Sequence, residues 1–135
     1  MYVHDVSVLR GFDGIPFGTK RKEARNALLK ATGLHPTVFK KGLSKNTADE
    51  YDGFHVYYDS HDCLEAVEFF GEANVKCDGH IVFPADVKII MDQADDWIQD
   101  DTGWVSVSKS IGIYAPENDM EALLFAKEDY YEGLF

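Results

Sequence analysis

Apolar residues recur along this chain with two different periods. From about Thr19 to Thr32, Ala24, Ala27, Leu28 and Ala31 form one stripe, Thr19 is placed to cap the first turn, and Gly33 stands where a helix would end. From Ala85 to Ile98, Val87, Ile90, Met91, Ala94, Trp97 and Ile98 fall at i, i+3, i+4, i+7, i+10 and i+11, which predicts a second helix opened by Pro84. Elsewhere the period is two. Gly53–Tyr58 and Leu64–Phe70 read as a hairpin turning at Asp59-Ser60-His61-Asp62, with the alternation slipping near Val67 as a bulge would make it. Val75–Phe83 reads as extended around Cys77-Asp78-Gly79, and Trp104–Ser108, Ile111–Tyr114 and Met120–Phe125 as further strands. Val3, Val6, Val8 and Leu9 fit an opening strand, and residues 34–50 a polar loop with a short extended piece at Val38-Phe39.

These patterns occur twice. Gly14-Ile15-Pro16-Phe17-Gly18-Thr19 runs into the first helix, and Gly79-His80-Ile81-Val82-Phe83-Pro84 runs into the second, with Ile81 and Phe83 matching Ile15 and Phe17 at an offset of 66. An offset of 56 puts Tyr58 on Tyr114, Leu64 on Met120, Glu65-Ala66 on Glu121-Ala122 and Phe69 on Phe125. The two offsets differ as they would if the loop after the second helix were about ten residues shorter. The expectation is an α+β fold in one domain, 1–135, in which two related helix-plus-antiparallel-hairpin units, about 11–74 and 75–135, form one antiparallel sheet packed by helices.

Charge divides the chain differently. Of the net −11, residues 1–45 contribute +6 and residues 46–135 contribute −17. Such a field repels nucleic acid and anionic lipid from the acidic part and attracts a basic protein. Lys20, Arg21, Lys22 and Arg25 crowd the start of the first helix, where the helix dipole disfavours them, so an acidic partner is expected there, such as the acidic half of the same chain. No apolar run approaches the ~20 residues of a membrane span, and the opening residues lack a signal-peptide pattern, which reads as cytoplasmic. In that setting Cys63 and Cys77 are expected as free thiols. No nucleophile, phosphate-loop or metalloprotease motif is present, and Cys77-x-x-His80 with His61 and Cys63 is a poor zinc pattern. Neither catalytic residues, nor a metal, nor a cofactor are therefore assigned.

The carboxylates Asp92, Asp95, Asp96, Asp100 and Asp101 sit on or just after the predicted second helix, although Asp disfavours helix interiors. A charge row kept against local stability suggests a partner-binding surface, with Trp104 as candidate anchor and Trp97 assigned to the core. The final stretch 127–135 mixes acids and aromatics and is suited to docking on the sheet or serving as a contact site.

Gly14-Ile15-Pro16-Phe17-Gly18 before a helix, followed by Phe54-His55-Val56-Tyr57-Tyr58-Asp59 and Leu64-Glu65-Ala66-Val67-Glu68-Phe69, resembles small bacterial immunity proteins, which neutralise a toxin delivered by a rival cell. The doubled unit is similar to the tandem fold of β-lactamase inhibitory protein and, in single copy, to small outer-membrane assembly lipoproteins, although no lipobox cysteine stands near the start. The resemblance covers roughly residues 11–30 and 53–70. It implies stoichiometric inhibition of a cognate basic toxin domain, such as a nuclease, in contact-dependent growth inhibition, without catalytic residues. The other reading left open is a small ligand-binding or enzymatic α+β domain with a pocket between the sheet halves, using His55, Tyr57, Tyr58 and Tyr114.

Overall fold

The computed structural model describes residues 2–40, 46–117 and 119–132; Met1, residues 41–45, Asn118 and residues 133–135, the last part of the stretch proposed as a contact site, lie outside the described residues. The fold is α+β, as expected, but it contains two sheets instead of one. The smaller sheet has five strands: β1 (His4–Ser7), β2 (Gly11–Phe12), β3 (Ile15–Pro16), β8 (Val75–Cys77) and β9 (His80–Phe83), in the order β3-β2-β1-β8-β9. The larger is built from β4 (Thr37–Lys40), β5 (Thr47–Tyr51), β6 (Phe54–Tyr58), β7 (Leu64–Phe70), β10 (Trp97–Gln99), β11 (Gly103–Ser106), β12 (Ile111–Tyr114) and β13 (Ala122–Ala126). Its order, β10-β11-β12-β13-β7-β6-β5-β4, is two four-stranded meanders joined where β13 pairs antiparallel with β7. In the small sheet β1 runs parallel to β8, a pairing between residues some seventy positions apart.

The helices are α1 (Arg21–Thr32) and α2 (Val87–Met91). Gly33 ends α1 in the left-handed conformation at φ 73°, its N–H bonding to Leu29. The cap position belongs to Lys20, not Thr19, whose hydroxyl bonds back to Pro16. Of the predicted stripe, Ala24 and Leu28 are buried and Ala31 is exposed. The second helix departs further from expectation. It begins three residues after Pro84, capped by Asp86, and stops at Met91; Trp97 and Ile98 then enter strand β10. The apolar spacing of residues 87–98 satisfied a helical period, but Asp92, Asp95 and Asp96 favour turns, and the backbone of Trp97–Gln99 finds ladder partners in β11.

One face of the large sheet carries the core. Phe54, Val56, Tyr58, Leu64, Val67 and Phe69 from the first meander and Ile111, Ile113, Leu123 and Phe125 from the second meet Val6, Phe12, Ile15, Val75 and Val82 of the small sheet and Ala24, Leu28 and Ile90 of the helices. His4 joins this layer, its ring 4.6 Å from Phe54 and its Nδ1 2.7 Å from Asp13. The bulge lies two residues before Val67: Tyr57 pairs with Ala66 and Tyr58 with Leu64, leaving Glu65 as the extra residue.

The element order hairpin, helix, four-stranded meander therefore runs twice along the chain. Both hairpins turn on Asp-Gly at positive φ, Asp13-Gly14 and Asp78-Gly79. The sequence matches need two adjustments. By pairing, β6 corresponds to β12 at an offset of 57, with Phe54 on Ile111 and Val56 on Ile113. The offset of 56 placed buried Tyr58 on exposed Tyr114, a one-residue slip that reverses the face. Likewise Ile15 is buried while Ile81 is exposed, since the turns align one residue earlier. Much of the length difference lies in the helices, 12 residues against five, and not only in the loop.

Candidate functional site

The other face of the large sheet is outside the core, and alternation decides what it displays. Tyr57 on β6, Ala66 and Glu68 on β7, Gly112 on β12 and Leu124 and Ala126 on β13 point away from the core residues beside them on each strand. The segment after β13 returns over this face, so Tyr130 and Tyr131 pack on Tyr57, Ala66, Leu124 and Ala126. Tyr131 can lie so close only because residue 112 is glycine: a Cβ there would sit 2.3 Å from the Tyr131 hydroxyl. Beside the two tyrosines is an open cleft of about 710 Å³ across the β7–β13 seam, bordered by Glu65, Glu68, Asp100, Asp129, Tyr114 and Lys127.

Its electrostatics follow from burial and crowding of like charge. Tyr57 donates to Glu68 at 2.8 Å, and burial followed by the Glu68 charge pushes its phenol up. Tyr130 is raised to about 12 by burial and then by Glu65 and Glu68, and Tyr131 is raised by burial, Tyr130, Glu68 and Asp100. All three hydroxyls therefore stay protonated at neutral pH. Burial also raises the Glu65 carboxyl, while Lys127, 4.0 Å away, opposes the shift. A second recess shares Glu68, Tyr114 and Ala122 and continues to Glu50, His55 and Glu121. The arrangement can attract and seat a cation.

The predicted site residues divide on this geometry. Asp100 borders the cleft, yet its carboxylate also holds the turn into β11, accepting from the backbone N–H groups of Thr102 and Gly103, which together with the Thr102 hydroxyl keep it below the usual carboxylate range. Asp96 is likewise engaged, accepting from the Ser106 hydroxyl at 2.6 Å and from the Ser108 N–H. Asp92 is the C-cap of α2, and Asp92, Asp95 and Asp101 are exposed. The five carboxylates thus lie in turns, not along a helix face. Trp104 pairs with buried Ile113, is itself half-buried against the core, and borders the cleft. Trp97 packs on the core, as expected, donating from Nε1 to Met91 and Ala94 carbonyls. Of the tyrosines proposed for a pocket between the halves, Tyr57 and Tyr114 are on this face and Tyr58 is in the core.

Sequence reasoning missed Asp49. This residue of β5 points into the core layer, fully buried, and receives Arg21 at 2.6 Å and Arg25 through both Nε and a terminal nitrogen. Arg21 also reaches Asp62 at 3.2 Å and lies 4.6 Å over the ring of Tyr58. Arg21 and Arg25 of α1 are thus answered by carboxylates of the acidic part of the same chain, residues 46–135, as the charge division led us to expect. Two signals pointed there: unexplained arginines on one helix face, and the alternation Ala48-Asp49-Glu50-Tyr51 inside a stretch read as loop. Cys63 and Cys77 are both free, and Cys77 is buried with its thiol donating to Gln93. Among the described residues no helix is long and apolar enough to cross a membrane, and no group of His, Cys, Asp and Glu is set to hold a metal ion.

No protein-family model matches the sequence, and no curated protein or solved structure shows significant similarity to it.

Proposed function

We propose that the protein is a stoichiometric inhibitor of the immunity type, which binds a basic toxin domain, a nuclease in the simplest case, and occludes its active site. The observation that carries this reading is the carboxylate- and tyrosine-lined cleft on the outer face of the large sheet. A nuclease site is cationic because it binds phosphates, and a concave acidic surface with aromatic walls is complementary to it. In this reading Glu65 and Glu68 lie at the centre of the interface, Asp100 at its edge, and exposed Asp92, Asp95 and Asp101 add long-range attraction.

The test is growth of cells producing the toxin domain encoded beside this protein. Wild type should restore growth, Glu65→Lys with Glu68→Lys should abolish protection without loss of fold, and Asp92→Asn, Asp95→Asn and Asp101→Asn together should slow association at low salt only. Full protection by the Glu65, Glu68 variant would remove the cleft from the interface, and the absence of any partner toxin would sink the reading. A small-molecule site is favoured by one observation, the cleft's volume, which falls within the ~300–1,000 Å³ of ligand pockets. Saturable binding of a metabolite with no effect on the toxin would select it.

A further inference from the structure

We infer that the corner of the cleft formed by Tyr130 and Tyr131 with Glu65 and Glu68 receives an arginine side chain of a partner protein. The identity of that partner rests on the inhibitor reading; the chemistry does not. The rings of Tyr130 and Tyr131 stand 5.0 Å apart at 85°, so a group entering beside them meets the face of one ring and the edge of the other. A ring face attracts a cation. Among the described residues, the carboxylates of Glu65, Glu68, Asp100 and Asp129 border the same space together with the ammonium of Lys127. That ammonium is 41% exposed and only loosely placed, 3.8 Å from Asp59 and 4.0 Å from Glu65, so an incoming cation can displace it.

Guanidinium fits better than ammonium. Being planar and weakly hydrated, it can lie on a tyrosine face and at the same time give two parallel N–H bonds to a carboxylate. Both parts of this combination occur in the interior, on two residues: Arg21 lies 4.6 Å over Tyr58, and Arg25 gives Asp49 two N–H bonds. The Tyr131 hydroxyl rests against Gly112, which seats that ring on the sheet.

The experiment is amide NMR of the full chain titrated with the peptide acetyl-Gly-Arg-Gly-amide and with its citrulline counterpart, which has the same shape without the charge. The arginine peptide should shift the amides of Glu65, Glu68, Gly112, Tyr130 and Tyr131 with a Kd on the order of millimolar, and the citrulline peptide should not. Glu65→Gln with Glu68→Gln should weaken binding by about tenfold or more, and Gly112→Val, by displacing the Tyr131 ring, should weaken it with all carboxylates intact. Equal shifts from citrulline, shifts confined to residues 92–101, or none from either peptide would overturn the inference, and the two peptides decide this on the wild-type chain even if a variant fails to fold. Arginine binding without protection from any toxin would sink only the inhibitor reading. Protection undiminished in the Glu65→Lys, Glu68→Lys variant would remove a toxin as the source of that arginine, and the peptide titration alone decides whether the corner binds one.

Discussion

The two helices occupy equivalent places in the two halves and are seated by opposite means. Under α1 the sheet offers Asp49, and Arg21 and Arg25 close on it. In the second half the strand pairing puts Trp104 where Asp49 stands, and the residues at the positions of Arg21 and Arg25 are Val87 and Met91, all packed on the core. The ionic seat holds a helix of 12 residues and the apolar seat one of five. An ion cluster in a dry layer is directional: its guanidinium forks fix rotation and height of the helix on the sheet, whereas an apolar contact tolerates sliding. Among the described residues, Ser110 Oγ is buried and unbonded in the second half, against Arg21 Nε and the Tyr51 hydroxyl in the ionic half. Specific geometry there is bought at some expense of stability.

The comparison can be broken most sharply at Asp49. Asp49→Ala takes the buried carboxylate from Arg21, whose side chain is only 11% exposed, and should destabilise the protein by about 3–5 kcal/mol in urea unfolding, Arg25 at 35% exposure adding little because it reaches water; Arg21→Met, Arg25→Met and Asp49→Leu together should recover most of that loss by giving the first half an apolar seat. Next in size is Ile90→Ala, which empties the one fully buried position of α2 and should cost about 2–4 kcal/mol. Acid should separate the two seats as well. Burial alone would raise the Asp49 carboxyl, but the hydrogen bonds and charges of Arg25 and Arg21 outweigh it and hold the group below its usual range. Its contribution is complete above the unfolded value of about 4 and disappears as pH falls through the lower folded value, so wild type should lose denaturant resistance below about pH 4 more steeply than Asp49→Asn. The smallest effect belongs to the exposed end of the cluster: Asp62→Asn should change stability by less than about 0.5 kcal/mol, and a larger loss would mean that Arg21 depends on both carboxylates.

The same contrast explains what could be read from the chain beforehand. The hairpin of Phe54–Tyr58 with Leu64–Phe70 was legible because alternation is local, and α1 because its stripe ends at a glycine, whereas Val75–Phe83, read as one extended stretch, is two strands turning at Asp78-Gly79. Residues 92–99 were not, since short apolar spacing such as Met91, Ala94 and Trp97 fits a helix as well as a turn followed by a strand, and the deciding partner, Gly103–Ser106, is supplied by the sheet. Local chemistry did carry a warning in the three aspartates, which are poor helix formers. The parallel pairing of β1 with β8 and the existence of a second sheet depend on contacts between distant residues and leave no periodic trace. For the candidate site, Asp100 was legible from charge, whereas the tyrosine walls required knowing that residues after Ala126 fold back over Gly112.

The antiparallel contact of β7 with β13 sets the order in which a newly made chain can become safe. Until residues 122–126 have left the ribosome, β7 is an open edge carrying Val67 and Phe69, a ready template for pairing with another nascent chain. The first meander must therefore wait through the synthesis of some fifty further residues before its edge is covered, and each half serves as the other's protection against aggregation.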